Sequence, residues 1–273
     1  MNGSKDLKTI IYFKGVYDTL DLFTDHLIEA FESMGYGTFV YHTANEEVSK
    51  KMLLRLLDES QEFAVVTFNN LGYNLSFEQS EAAEDEEKKP EEHNIWNYFH
   101  IPYIDILMDH PFHYEKPLCN MPETAVILCT DRNHEKYIRR FFKNIHQTDF
   151  LPHAGVELGH KHKPLNDRNI DVLYAGALPI YTVAKMIPDL HSIPEVDGEH
   201  MMQSVLGELV QHPEQTTEQV IEAYVKSVRG DISDERLQEI IVKMRFLDSY
   251  ATSFFREQAV RILVESGIHV TAY

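Results

Sequence analysis

Residues 7–15 read Leu-Lys-Thr-Ile-Ile-Tyr-Phe-Lys-Gly, a β-branched and aromatic run that ends in a glycine. This composition predicts a buried first strand. Apolar side chains at helical spacing follow over residues 18–34, and residues 38–43 and 62–68 predict two more strands. Asn45 is expected to cap a second helix between these two strands. The order strand, helix, strand, helix, strand predicts a parallel, Rossmann-like sheet and therefore an α/β fold.

Each of the two predicted helices has one apolar face, which should pack against the sheet. The first face consists of Leu20, Phe23, Leu27, Ala30, Phe31 and Met34, and the second of Val48, Met52, Leu53, Leu56 and Leu57. Further along, the pattern predicts the end of a helix over residues 95–100, strands over 103–108 and 125–129, and a basic amphipathic helix over 131–144. The first domain is therefore expected to span residues 1–157.

A second domain is expected after a linker at residues 158–167, whose Gly, His, Lys, Pro, Asn and Asp are typical of turns. Residues 169–176 read Asn-Ile-Asp-Val-Leu-Tyr-Ala-Gly and predict a fully buried parallel strand near the start of this domain, which spans 168–273. Helices are predicted over 181–187, 201–211, 214–228 and 234–265, the last in one or two pieces, with a final strand over 268–273. The second domain is thus expected to be helix-rich and truncated.

The chain is strongly acidic, with 25 Lys and Arg against 44 Asp and Glu and a formal charge of -19. Such a charge repels phosphate backbones and anionic membrane surfaces, which argues against nucleic acid as a partner. Acidic residues are concentrated over 78–92. This segment predicts a solvated loop or a frayed helix, with a basic partner as the alternative.

The chain has two cysteines, Cys119 and Cys129, and both lie in apolar stretches, which predicts buried and reduced thiols. The N-terminus lacks the basic-then-apolar pattern of a signal peptide. No stretch approaches the roughly 18 uninterrupted apolar residues that a transmembrane helix needs. A soluble, cytoplasmic protein without a transmembrane segment is therefore expected.

Polar residues follow several predicted strands, where ligands of open α/β sheets bind. Asp109 and His110 follow the fourth strand, and an aspartate beside a histidine can orient the imidazole as a general base. The alternative is a capped turn with a hydrogen-bonded histidine. Gly15, at the end of the first strand, allows close approach of a substrate to the backbone or is an ordinary turn glycine.

Motifs for cofactors, metals and nucleophilic catalysis are missing from the sequence. The first strand ends with a single glycine, so neither a dinucleotide fingerprint nor a P-loop is present. Of the 15 histidines, His110 and His113 form one pair and His160 and His162 another, but neither pair has the helical spacing of a zinc motif. We therefore expect no metal and no cofactor. Asp131, after the fifth strand, is expected to cap the next helix or to line the site.

Three segments resemble the bacterial glycosyltransferases of GT-B architecture that are related to the spore-maturation CgeB proteins. Phe-Leu-Pro-His-Ala at 150–154 is similar to the segment that ends the first Rossmann-like domain of that family. Arg-Asn-Ile-Asp-Val-Leu-Tyr-Ala-Gly at 168–176 is similar to the strand that opens the second domain. Residues 256–270 look like the helix that leads into the second strand of that domain.

The resemblance implies transfer of a sugar from a nucleotide-sugar to an acceptor such as a glycan, a protein or an envelope polymer. Helix N-termini and polar side chains, rather than a metal, would stabilise the leaving diphosphate. Asp109 or His110 would be the base. The residues that would bind substrate are Gly15, Asp18 and Asp131 on the acceptor side and His153 and Gly176 facing the cleft between the domains.

Family members continue beyond the point that corresponds to Tyr273. The chain is therefore expected to be the acceptor-side domain with the opening of a donor domain, and this fragment need not be active. A non-catalytic Rossmann-like binding module is the main alternative. A histidine-dependent hydrolase is a third interpretation.

Overall fold

The computed structural model describes the following residues: 8–58, 62–79, 91–155, 163–176 and 189–272. The chain divides into two compact units, Met1–Val156 and Glu157–Tyr273, which we call unit 1 and unit 2. Each unit has its own set of buried apolar side chains.

The described part of unit 1 contains a central sheet and a small hairpin. Its strands are β1 (Lys8–Lys14), β2 (Gly37–His42), β3 (Glu62–Phe68), β4 (Ser76–Gln79), β5 (Glu91–Asn94), β6 (Tyr103–Leu107), β7 (Ala125–Cys129) and β8 (Gln147–Phe150). Six of them form the central sheet, in the order β2-β1-β3-β6-β7-β8, and all neighbouring pairs are parallel. The predicted Rossmann-like α/β fold is confirmed by this sheet.

Helices connect the strands of the central sheet. They are α1 (Asp18–Ser33), α2 (Glu46–Leu57), α3 (Ile95–Tyr98), α4 (Glu115–Cys119) and α5 (Arg132–Phe141). Helix α1 ends where the sequence predicts, because Gly35 has φ +90°, a left-handed conformation that glycine adopts readily. Its apolar face, with Phe23, Leu27 and Phe31, packs against a cluster of buried residues that includes Tyr12. Met34 does not belong to this face as predicted, because it follows the last helical residue and is 66% exposed.

Helix α2 forms where the sequence predicts, but the side chain of Asn45 at its N-cap makes no capping hydrogen bond, and the predicted apolar face is only partly correct. Leu53 and Leu57 are buried, whereas Val48 and Met52 are 61% and 54% exposed. The buried face instead begins with Ser49, whose hydroxyl lies 3.1 Å from both the backbone nitrogen and the backbone oxygen of His42. These hydrogen bonds fix the rotation of the helix and leave Val48 and Met52 on its outer side.

The acidic segment begins and ends in a β-hairpin that the sequence analysis did not predict. Strands β4 and β5 pair antiparallel, with Phe77 opposite His93. The ring of Phe77 also lies 5.0 Å from that of Tyr98 in an edge-to-face arrangement. Aromatic cross-strand packing of this kind stabilises a strand pair, so the prediction of a loop or frayed helix is wrong at both ends of the segment. Residues 80–90 lie outside the described residues.

The described part of unit 2 combines helices with one pair of strands. The strands are β9 (Val172–Tyr174) and β10 (Val270–Ala272), which pair in parallel, and the helices are α6 (Gly198–Gln211), α7 (Thr217–Arg229), α8 (Asp234–Met244) and α9 (Phe246–Glu265). The predicted helix over 181–187 lies outside the described residues. So do His160 and His162 of the predicted linker.

Strand β9 is not fully buried, contrary to the prediction. Leu173 is 54% exposed, and its two neighbours are half-buried. The reason is that β9 belongs to a sheet of two strands, so it does not lie at the centre of a wider sheet. The apolar run that ends in Gly176 predicted the strand, but it does not reveal how many strands will surround it.

The two cysteines differ in their exposure to solvent. Cys129 is buried as predicted, whereas Cys119, the last residue of α4, is exposed. The prediction for Cys119 is therefore wrong, because the helix ends at the surface just after the buried Leu118.

None of the described helices has the length and apolarity needed to cross a membrane.

Candidate functional site

The candidate site lies at the carboxyl edge of the unit 1 sheet. The chain leaves β1 towards β2 and leaves β3 in the opposite direction, towards β6. Ligands of open α/β sheets bind beyond the strand ends at such a switch point. Gly15 directly follows β1, Asn69 directly follows β3, and Asp109 lies two residues after β6. The sequence-predicted residues of unit 1 therefore belong to loops at a single edge.

The loop after β1 is closed by a carboxylate of the chain itself. The backbone nitrogen of Gly15 lies 3.0 Å from both carboxylate oxygens of Asp21, in the first turn of α1. Gly15 has φ +96°, and an added Cβ would lie 3.1 Å from the hydroxyl oxygen of Thr43. Asp21 thus occupies the position in which a bound anion would accept a hydrogen bond, and Asp18 adds a second charge there. This loop is unsuited to a diphosphate.

A turn of two asparagines directly after β3 is hydrogen-bonded to the residues that follow the neighbouring strand β6. Asn69 and Asn70 have φ angles of 48° and 65°, which are unusual for residues other than glycine. The side-chain oxygen of Asn69 accepts from the backbone nitrogen of Met108 at 2.8 Å, and its amide nitrogen donates to Asp109 at 3.1 Å. The turn therefore sets the position of Asp109.

The Asp109 carboxylate is exposed, and only one of its two oxygens has hydrogen-bond partners among the described residues. Oδ2 accepts hydrogen bonds from Asn69 Nδ2 at 3.1 Å and from the Tyr114 hydroxyl at 2.8 Å. Burial, followed by the hydrogen bond to Asp109, raises the pKa of Tyr114 well above its ordinary value, so this phenol stays a donor. Among the described residues, no hydrogen bond reaches Oδ1 of Asp109. Oδ1 can therefore accept one from a ligand hydroxyl.

His110 has a structural role in this arrangement. Its Nδ1 accepts a hydrogen bond of 3.2 Å from the backbone nitrogen of Phe112 and so caps a short 3-10 helix. Its ring stacks on Phe112 with centroids 3.6 Å apart and meets the ring of His134 edge-on at 4.5 Å. Since Asp109 bonds to Asn69 and Tyr114, the described carboxylate does not orient His110. This geometry matches the capped-turn alternative, and a catalytic role of His110 stays a prediction.

The remaining predicted residues are distributed over both units. Asp131 caps α5, because its carboxylate accepts from the backbone nitrogen of Asn133 at 2.6 Å. Asp18 is exposed in the first turn of α1, and His153 lines a cavity beside that helix. Gly176 belongs to unit 2, two residues after β9. The residues predicted in unit 1 thus belong to segments near the carboxyl edge of its sheet, whereas Gly176 belongs to unit 2.

Asp105 is a polar residue of unit 1 that the sequence analysis missed. It is fully buried in β6, and its Oδ1 accepts from the backbone nitrogen of Asn70 at 2.9 Å. Burial raises its pKa to about 7, although that hydrogen bond lowers it. Oδ2 of Asp105 and both side-chain polar atoms of Asn70 have no hydrogen-bond partner among the described residues. The available signal was an acidic residue inside an otherwise apolar strand.

Among the described residues, no group of three or more His, Cys, Asp or Glu side chains is placed to hold a metal ion. Comparisons of the chain with protein-family models, with curated proteins and with solved structures found no match. Function therefore has to be inferred from the geometry of the sheet edge together with the resemblance noted in the sequence.

Proposed function

We propose that the chain is a glycosyltransferase of GT-B type, or a piece of one, and that unit 1 binds the acceptor. The observation that carries this proposal is the Asp109 carboxylate at the carboxyl edge of the parallel sheet, fixed through Oδ2 and open at Oδ1. A carboxylate held in this way, with an amide and a phenol beside it, suits the hydroxyl groups of a neutral polyol.

In this mechanism Asp109 is the catalytic base. The acceptor hydroxyl donates a hydrogen bond to Oδ1, and Asp109 takes the proton as the oxygen attacks the anomeric carbon of the donor sugar. The bond from that carbon to the diphosphate oxygen breaks, and the nucleoside diphosphate leaves with the electron pair. Asn69 and Tyr114 keep the carboxylate in position during the proton transfer.

The donor would bind outside the β1–α1 loop of unit 1. Asp21 already satisfies the Gly15 nitrogen, and Asp18 and Asp21 place two acidic side chains in the first turn of α1. Both features oppose a diphosphate there. By the resemblance, the nucleotide-sugar would be held on the donor side, where Gly176 is the candidate residue.

A non-catalytic binding module is the second candidate. The structural role of His110 favours it, because the predicted Asp-His pair does not form the hydrogen bond that a histidine base would need. A module would bind the same acceptor chemistry at the same edge without transfer. Nucleotide-sugar binding therefore separates the two candidates.

The first experiment is a thermal-shift measurement of the full chain with UDP-, GDP- and CDP-sugars. A ligand at 100 times its dissociation constant stabilises a protein by about 2.7 kcal/mol, so a true donor should raise the unfolding temperature. A shift with one nucleotide-sugar supports transfer. No shift with any of them supports the binding module.

The second experiment measures transfer by Asp109→Asn, with Asp58→Asn as the matched control. Asp58 is exposed at the end of α2, away from the carboxyl edge. Loss of a general base typically lowers the rate about 10²- to 10⁴-fold, so we expect such a loss in the first variant and none in the second. An unchanged rate in Asp109→Asn would exclude Asp109 as the base.

A further inference from the structure

A cavity of about 310 Å³ opens at the carboxyl edge of unit 1, beside α1. Phe68 of β3 and Ile106 of β6 line it, and both belong to the buried cluster on which α1 packs. Phe23 and Leu27 contribute the helix side, and residues 151–155, directly after β8, contribute the opposite side. The cavity is therefore bounded mainly by apolar side chains, from helix α1, the ends of β3 and β6, and the segment after β8.

Three polar side chains also line the cavity. Thr130 is almost buried, and its hydroxyl donates to the backbone oxygen of Leu107 at 3.3 Å, so its oxygen can still accept a hydrogen bond. His26 and His153 are both exposed, and an imidazole nitrogen can donate to a hydroxyl or accept from one. The polar groups are few, as in pockets where they orient an otherwise apolar ligand.

The lining chemistry selects against anionic ligands. Among the described residues that line the cavity, none is a lysine or an arginine. The chain as a whole carries a formal charge of -19, which repels anions. A volume of about 310 Å³ suits a small molecule and is too little for a protein segment with secondary structure of its own.

The cavity adjoins the residues of the candidate site. Met108 lines it, and the next residue is Asp109. Thr130 lines it as well, on the neighbouring strand end, and the next residue is Asp131. The cavity and the Asp109 carboxylate therefore lie at the same edge of the sheet.

We propose that this cavity binds an apolar ring of an uncharged, hydroxyl-bearing molecule, whose hydroxyls face the carboxyl edge of the sheet. That this molecule is the acceptor rests on the proposed function, and the presence of the site does not. The acceptor class is then an aryl-bearing glycoside or alcohol rather than an anionic polymer. Ring burial supplies affinity, and Thr130, His26 and His153 orient the polar end.

The test is isothermal titration of the full chain with 2-naphthyl β-D-glucoside and with methyl β-D-glucoside. The two probes share the sugar and differ in the ring, so burial of the ring should tighten binding of the naphthyl compound at least about tenfold. Equal binding of both glucosides, or binding of neither, would overturn the proposal.

Two matched variants locate the binding. Ala154 is exposed and lines the cavity, so Ala154→Trp fills the space without replacing a buried side chain. Ala259 is exposed on α9 of unit 2, and Ala259→Trp makes the same exchange elsewhere. We expect Ala154→Trp to weaken naphthyl glucoside binding at least about tenfold and Ala259→Trp to leave it unchanged. Unchanged binding in Ala154→Trp would place the ring elsewhere and contradict the site.

Failure of this inference is distinguishable from failure of the proposed function. Ring-dependent binding without nucleotide-sugar binding supports the cavity and contradicts the transferase. Nucleotide-sugar binding without ring-dependent binding supports the transferase and contradicts the cavity.

Discussion

Asp105 shows at the residue scale how the sheet supports its edge. Its carboxyl group is buried in β6 and holds the backbone of Asn70, while the adjacent Asn69 bonds to Asp109. The pKa of Asp105 is raised from 3.8 to about 7 by burial. Nearby Tyr103 and Cys129 stay neutral below pH 8, because burial also raises the pKa of each.

This raised pKa makes the fold less stable as the pH rises. A carboxyl group whose pKa is raised in the folded state stabilises the fold. This stabilisation is complete below pH 3.8, the ordinary pKa of the group, and it is lost as the pH rises through about 7. Over this range the loss amounts to about 4 kcal/mol in the free energy of unfolding. Asp105→Asn keeps an oxygen for the Asn70 nitrogen but does not ionise.

We therefore expect Asp105→Asn to reduce the fall in unfolding free energy between pH 4 and pH 7. Urea unfolding at several pH values measures this slope. Asp58→Asn is the control, because Asp58 is exposed and should leave the slope unchanged. A slope in Asp105→Asn equal to that of the unsubstituted chain would show that folding does not raise the pKa of Asp105.

At the element scale, the turn after β3 is locked by close packing. Gly72 has φ +80°, and a Cβ added there would lie 2.1 Å from the ring of Phe13 in β1. The backbone oxygen of Gly72 accepts from the Trp96 indole at 2.7 Å. The ring of Phe13 and the indole of Trp96 thus both contact Gly72 so closely that no side chain fits there.

Gly72→Ala should be strongly destabilising, and Gly35→Ala should be a milder change. Both glycines have positive φ, so alanine costs about 1–2 kcal/mol of backbone strain at either position. Gly35 has no atom within 4 Å of an added Cβ, whereas Gly72 adds a clash worth about 1–3 kcal/mol more. Urea unfolding of both variants measures the difference, and equal losses would contradict the packing at Phe13.

The elements most accessible to sequence reasoning are those with local signals. Five strands of the central sheet (β1, β2, β3, β6 and β7), most of the face of α1 and the cap at Asp131 follow from periodicity and capping chemistry. The orientation of α2 depends on hydrogen bonds to another strand, and the β4–β5 hairpin depends on aromatic pairs. Such contacts join residues far apart in sequence, so no local pattern reveals them.

The candidate site shows the same division. Position after a strand correctly brings Gly15, Asp109 and Asp131 to one edge, because parallel strands share their carboxyl ends. Hydrogen-bond partners are not encoded in that way. The sequence order suggested that Asp109 pairs with His110, but the fold gives Asp109 to Asn69 and Tyr114.

At the scale of the whole molecule, the chain consists of two compact units with separate cores. Its single tryptophan, Trp96, is fully buried in unit 1. Tryptophan fluorescence therefore reports on unit 1 alone. Far-ultraviolet circular dichroism reports on both units, and the helices α6 to α9 contribute strongly to it.

We expect residues 1–156 to fold without unit 2. Their core includes the six-stranded sheet, which is large enough for an independent domain. The expressed fragment should show the same tryptophan emission maximum as the full chain and a cooperative loss of that signal in urea. An emission maximum shifted to that of an exposed indole would show that unit 1 depends on unit 2.

We propose that the carboxyl edge of the unit 1 sheet binds a hydroxyl-bearing ligand at Asp109. The most direct measurement is nuclear magnetic resonance of the labelled full chain during titration with 2-naphthyl β-D-glucoside. We expect the backbone signals of Asn69, Asp109 and Thr130 to shift and the signal of Asp58, at the end of α2, to stay unchanged. Shifts confined to residues away from this edge, or the absence of any shift, would contradict this proposal.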